Sequence, residues 1–248
     1  MQPLPAASLS HRPSVHEARD GGDGVQGRGG GNGVIADFGL RIADFGDASG
    51  SSSTPNPQSE VRNPKSPAVF LDRDGTVSEE VGYMYHAGLY RPFSWTGKAV
   101  RRINESGFKA VLVTNQSGIE RGYFDEAVLH EVHQALRAEL ARWNAHLDGI
   151  YVCPHKPETG CACRKPKPGM LLQASRDLNL DLGRSFMIGD RYLDVEAARA
   201  AGVKSVLVRS GDGAAELERY AATAAAQPNH VADNLLDAVE AILSGRVA

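Results

Sequence analysis

The sequence predicts an α/β fold in which a parallel sheet is flanked by helices on both faces, and three observations predict it. From Pro67 onward, short apolar runs alternate with stretches whose apolar residues recur at helical spacing. The run FKAVLVT at Phe108 to Thr114 is almost continuously apolar, as a strand covered on both sides requires. The polar residues Asp72, Asp74, Thr114, Asn115, Cys153 and Asp190 end or closely follow the predicted strands, where open α/β sheets bind ligands.

Met1 to Ser66 precedes this pattern. Gly and Pro make up about a quarter of it and apolar residues are sparse, so little opposes the entropy of an unfolded chain. Ile35 to Gly39 (IADFG) recurs as Ile42 to Gly46, but two copies are too few for a solenoid. Residues 1–66 are therefore expected to be a disordered leader, dispensable on truncation near Pro67, and residues 67–248 the functional domain. Within that domain Ala68 to Asp72 reads as the first strand and Gly97 to Glu105 as a helix closed by Gly107. Phe108 to Thr114 is the second strand. Asp125 is placed to cap a long helix to about Asn144, with Phe124 and Leu129 as a hydrophobic staple. Strands follow at Gly149 to Cys153, Ser185 to Gly189 and Lys204 to Val208. Helices follow at Gly169 to Leu178, Leu193 to Ala201, in the Ala-rich stretch before Pro228, and from about Asn234 to Leu243. The gaps after Asp74 and Thr114 are too short for a large cap domain. His130, His133 and His146 lie on or beside the long helix and are assigned no chemistry.

The 248 residues carry a net charge of −3, with no basic excess for a nucleic-acid backbone. No basic and apolar leader opens the chain and no run of about 18 apolar residues interrupts it, so a soluble cytoplasmic protein without membrane partners is expected. The three cysteines fall within eleven residues, an odd and clustered set that suits a metal site in a reducing compartment better than disulfides.

Asp72 and Asp74 would share one face of a strand's end. At about 4 Å and an effective dielectric near 20, two such charges interact by roughly 4 kcal/mol, a repulsion that a divalent cation turns into binding; oxygen ligands favour magnesium. The alternative is a solvated Asp-x-Asp-Gly turn. Cys153, His155, Cys161 and Cys163 supply three thiolates and an imidazole, the ligand set of a closed tetrahedral zinc site, the alternative being free surface thiols. The last of them lies two residues before Lys165, so zinc would fix the loop that aims Lys165. For the Arg164 to Pro168 stretch the alternative is an exposed basic loop; for Asp190 and Asp194 it is helix capping.

Taken together, DRDGT at Asp72 to Thr76, TNQSG at Thr114 to Gly118, CRKPKPGM at Cys163 to Met170 and MIGDRYLD at Met187 to Asp194 resemble the four motifs of the haloacid dehalogenase superfamily of phosphohydrolases. Gly82-Tyr83, NQSGIERGYF at Asn115 to Phe124 and the Cys-x-His…Cys-x-Cys loop are similar to its heptose-bisphosphate phosphatase branch. The resemblance implies a Rossmann-like sheet and magnesium-dependent phosphomonoester hydrolysis of a small phosphorylated sugar by a monomer. It implies Asp72 as nucleophile, Asp74 as acid and base, and Thr114 and Lys165 on the phosphoryl group. Magnesium would be held by Asp72, Asp190 and the carbonyls of Asp74 and Arg191, and zinc by the Cys/His loop. Glu80, Val81, Gly82, Tyr83, Asn115, Gln116, Ser117, Arg164 and Arg191 would meet the substrate. Ser78, where the family pattern leads to asparagine, and the stretch Tyr85 to Pro92 depart from that pattern. Histidinol-phosphate phosphatase is the nearest rival, a polynucleotide 3′-phosphatase a distant one, and a catalytically silent zinc-stabilised module the rival from another class.

Overall fold

In the computed structural model, residues 40–42 and 64–247 are described. The strands are β1 (Leu40–Ile42), β2 (Ala68–Leu71), β3 (Lys109–Asn115), β4 (Gly149–Cys153), β5 (Phe186–Gly189), β6 (Lys204–Val208) and β7 (His230–Ala232). The helices are α1 (Thr96–Glu105), α2 (Glu126–Ala141), α3 (Gly169–Asp177), α4 (Tyr192–Ala201), α5 (Gly213–Tyr220) and α6 (Leu235–Leu243). Every strand pairing is parallel, in the order β1-β4-β3-β2-β5-β6-β7.

The central strand β2 shows why its residues are apolar throughout. Val69 and Leu71 join the core beneath α1, α2 and α6, whereas Ala68 and Phe70 join the opposite core with Met170, Leu171 and Ala174 of α3 and Ala197 and Ala198 of α4. Alternation with period two thus feeds both faces, and each large side chain so buried contributes about 1.5–3 kcal/mol.

All five predicted strands and five of the predicted helices are present with ends displaced by a few residues; the Ala-rich helix expected before Pro228 is α5, which stops at Tyr220 and leaves Ala221 to Gln227 without helical structure. The Asp125 carboxylate accepts from the Val128 N–H at 3.0 Å and starts α2 as expected, and Phe124 and Leu129 are both buried in one core. The two edge strands were not predicted. β1 and β7 have three residues each, too few to display a period. β1 lies in the stretch expected to be unstructured and pairs in parallel with Ile150–Val152 of β4; the rest of that expectation, including all but one residue of the IADFG repeats, lies outside the described residues. Ser66 also belongs to the fold: its N–H donates to the Asn179 carbonyl and its carbonyl accepts from Asp181. No helix among the described residues is long and apolar enough to cross a membrane.

Candidate active site

The carboxyl ends of β2, β3, β4 and β5 converge on a cavity of about 200 Å³. Asp72, Asp74, Glu80, Thr114, Asn115, Arg164, Lys165 and Arg191 line it, so eight of the residues singled out in the sequence meet there, together with Leu193 and Asp194. Val81, Gly82, Tyr83, Gln116 and Ser117 do not line it. Val81 packs against the core, Gly82 donates its N–H to Glu80 Oε1 at 2.7 Å, and Tyr83 meets Tyr123 edge-on at 4.5 Å between ring centroids.

The loop leaving β2 is drawn tight by one carbonyl. Arg73 O accepts from the N–H groups of Val77 and Ser78, both at 2.9 Å, so the chain doubles back just beyond Asp74. Gly75 is required there: its φ is +78°, and a Cβ would stand 2.0 Å from Asp190 Oδ2. Ser78 is fully buried within this turn and Thr96 Oγ1 donates to the neighbouring Val77 carbonyl.

Asp72 lies on the cavity floor. Its Oδ1 accepts from the Arg73 N–H and stands 2.8 Å from Lys165 Nζ, which reaches Asp194 Oδ1 at 2.6 Å on its other side. Burial works against the charge on Lys165, yet the flanking carboxylates of Asp194 and Asp72 hold its pKa above the ordinary lysine value. Burial pushes Asp72 up to about 7, with Asp194 adding to the rise and Lys165 opposing it; burial, then Asp72 and Asp194, push Asp190 up to about 8.

Carboxylate oxygens of Asp72, Asp190 and Asp194 lie within 4.8 Å of one another, all three residues are buried, and Asp190 Oδ1 has no hydrogen-bond partner. A buried, oxygen-only donor set with one uncommitted oxygen fits a hard divalent cation such as magnesium. Asp74 is outside this group; its carboxylate turns instead toward Arg73 and Gln116.

Lys165 is aimed by two supports. The Asn115 side chain, at the end of β3, clamps the Lys165 peptide by accepting its N–H at 3.1 Å and donating to its carbonyl at 3.2 Å. Behind it lies the cysteine loop, where Cys153, Cys161 and Cys163 sulfurs are 3.3–3.6 Å apart and His155 Nδ1 is 3.3 Å from Cys163 and 3.7 Å from Cys153. Zinc–sulfur bonds of about 2.3 Å in a tetrahedron place ligand sulfurs about 3.8 Å apart, so the four side chains fit such an ion. The contact with Cys163 is the largest influence holding Cys153 down to about 5, while the same contact pushes Cys163 up. Arg164 donates to the His155 carbonyl at 2.9 Å, and the Glu120 carboxylate takes the Lys156 N–H and the Thr159 hydroxyl, pinning this loop to the one after β3.

Two features go beyond the sequence reading, the pairing of Asp194 with Lys165 and the loop after β6. Asp194 both caps α4, accepting from the Arg191 N–H at 3.2 Å, and pairs with Lys165. Its place four residues after Asp190 was the available signal, and the two readings of it turn out to be compatible. The loop after β6 closes over the site, with the Asp212 N–H on Asp190 Oδ2 at 2.9 Å, the Ser210 hydroxyl on the Gly75 carbonyl at 2.8 Å, and Asp212 paired with Arg191 at 3.2 Å. Nothing local in Ser210-Gly211-Asp212 announces this.

Comparison with known proteins agrees with the geometry. A HAD-hydrolase-like family profile matches residues 162–238. The D-glycero-beta-D-manno-heptose-1,7-bisphosphate 7-phosphatase of Yersinia pestis is 46% identical over 153 residues, covering 58% of this chain and 81% of that one. Its counterpart from Escherichia coli K12 is 44% identical over 153 residues, covering 58% and 80%. Among solved structures, a D,D-heptose 1,7-bisphosphate phosphatase from B. bronchiseptica, complexed with magnesium and phosphate, aligns with a TM-score of 0.68 and 32% identity over 72% of this chain and 99% of that one.

Proposed function

Because the chain belongs to the haloacid dehalogenase-like family of the heptose-1,7-bisphosphate 7-phosphatases, we propose that it removes the 7-phosphate of D-glycero-D-manno-heptose 1,7-bisphosphate by way of an aspartyl-phosphate, the domain from about residue 64 onward doing the work. One observation carries the reading: two carboxylates one residue apart are held in opposite ways. Asp72 lies on the floor against an ammonium, and Asp74 stands on the wall away from the metal-type cluster. The first suits in-line attack on phosphorus, the second proton transfer to the leaving oxygen and from the attacking water.

Lys165 faces both Asp72 and the cavity and can neutralise a phosphoryl oxygen, and the Thr114 hydroxyl can hydrogen-bond another. Arg164, restrained at the His155 carbonyl, offers the rest of its fork to the sugar or its second phosphate. Magnesium held by Asp72, Asp190 and the carbonyls of Asp74 and Arg191 would supply the positive charge that lets one anion approach another. Zinc held by Cys153, His155, Cys161 and Cys163 would be structural. All these residues come from one chain, so a monomer suffices, and three unbridged thiols suit a reducing compartment.

Asp72→Asn is expected to lower kcat by roughly 10⁴-fold or more while leaving the fold intact, measured as magnesium-dependent phosphate release from the bisphosphate. Native turnover by that variant would refute the covalent route. Both heptose bisphosphate anomers should be turned over in preference to histidinol phosphate, and the reverse order would reassign the substrate.

A further inference from the structure

Arg73 stands between Asp72 and Asp74 in the chain, and it turns into the protein, where it is 1% exposed. Its Nε donates to Asp74 Oδ1 at 2.9 Å and its Nη2 to Oδ2 at 2.8 Å, a planar fork on a planar carboxylate. The Gln116 amide, itself held at 2.8 Å on Thr114 Oγ1, adds a third donor to Oδ2 at 2.9 Å. Asp74 is therefore gripped from behind, and its remaining side belongs to the cavity.

As a packing device this arrangement is poor. Desolvating a guanidinium costs several kcal/mol, a buried ion pair of this kind is often no more stable than well-packed apolar side chains, and Arg73 Nη1 is buried with no hydrogen-bond partner. What the fork does achieve is a fixed direction for Asp74. Positioning on this scale matters, because a displacement of about 1 Å can cost about 10²-fold in rate.

We infer that Arg73 is a positioning residue which, with Gln116, aims the Asp74 carboxyl at the leaving oxygen and then at the attacking water. The inference rests on the proposed function. In the first step an Asp72 oxygen bonds to phosphorus, the bond from phosphorus to the sugar oxygen breaks, and Asp74 gives its proton to that oxygen. In the second, water attacks phosphorus, its proton passes to Asp74, and the bond between phosphorus and Asp72 breaks. A sugar alcohol needs Asp74 in both steps. The nitrophenolate of p-nitrophenyl phosphate leaves without a proton, so with that substrate only the second step depends on Asp74.

Rapid mixing of the magnesium-loaded wild type, Arg73→Met and Arg73→Lys with p-nitrophenyl phosphate tests this. Arg73→Met should release nitrophenolate in a burst stoichiometric with enzyme and larger than the wild type's, followed by turnover about 10²-fold slower with KM lowered in proportion, so that kcat/KM, which reports the first step, is unchanged. Arg73→Lys should recover part of that turnover, since an ammonium can hold one carboxylate oxygen but not both. If Arg73→Met fails to melt cooperatively, Gln116→Met and Arg73→Lys carry the same expectation. Slow turnover without a burst, a raised KM at unchanged kcat, or wild-type kinetics would each overturn the inference. A wild type with no magnesium-dependent turnover would instead overturn the proposed function.

Discussion

His133 illustrates how burial can govern the charge of one side chain. It sits on the inner face of α2, 3% exposed, with neither ring nitrogen hydrogen-bonded, and burial followed by the Arg73 charge pushes it down to about 3. A histidine held neutral in the fold and free to take a proton near pH 6.5 when unfolded contributes its full stability above that pH, and loses it as the pH falls from 6.5 toward 3. At pH 5.5 the loss is about 1.4 kcal/mol. His133→Leu removes it, so the variant's stability relative to wild type should improve by about that amount between pH 7.5 and 5.5 in urea titrations. An identical difference at both pH values would contradict the burial argument. The same residue scale holds the chemistry, since Asp72 and Asp74 differ only in what surrounds them.

At the scale of elements, the cysteine loop after β4 and the Asn115 end of β3 act on Lys165 from two sides. The loop adds little to either main core apart from its three cysteines, but its Arg164 and Lys165 both reach the cavity. Stripping the proposed zinc with a chelator should therefore lower kcat by roughly tenfold or more, with a smaller effect on the thermal midpoint of the sheet, followed in parallel by phosphate release and circular dichroism. Full turnover by the stripped protein would separate the loop from Lys165. The capping of α2 by Asp125 belongs to the same scale, and there the sequence alone located the helix start.

For the whole molecule, the parallel order β1-β4-β3-β2-β5-β6-β7 places β2 at the centre, so the two aspartates emerge where neighbouring strands on both sides can add residues. β3 brings Thr114 and Asn115, β4 leads to the cysteine loop, β5 to Asp190 and β6 to the loop of Asp212. In the sheet order the edge strand β1 has β4 as its one neighbour, pairing with Ile150–Val152. Removal of residues 1–63, which spares the Ser66 hydrogen bonds, should leave kcat and KM unchanged and lower the melting temperature slightly, because one parallel pairing is lost. A large fall in turnover would show that the leader takes part in the site.

What the sequence by itself determined is whatever depends on neighbours in the chain: the apolar runs of the five inner strands, the capped helices, the Cys/His ligand set, and the carboxylates at the strand ends. Those features follow from alternation, helical spacing and turn chemistry, each legible within about ten residues. Only the tertiary structure decided that Lys165 lies between Asp72 and Asp194, that Gln116 and Arg73 hold Asp74, and that the Ser210 to Asp212 loop meets Asp190. Those pairings join residues tens of positions apart, through the packing of parallel strands and the loops they carry, and no local pattern encodes a distance between segments that meet only when the sheet is complete.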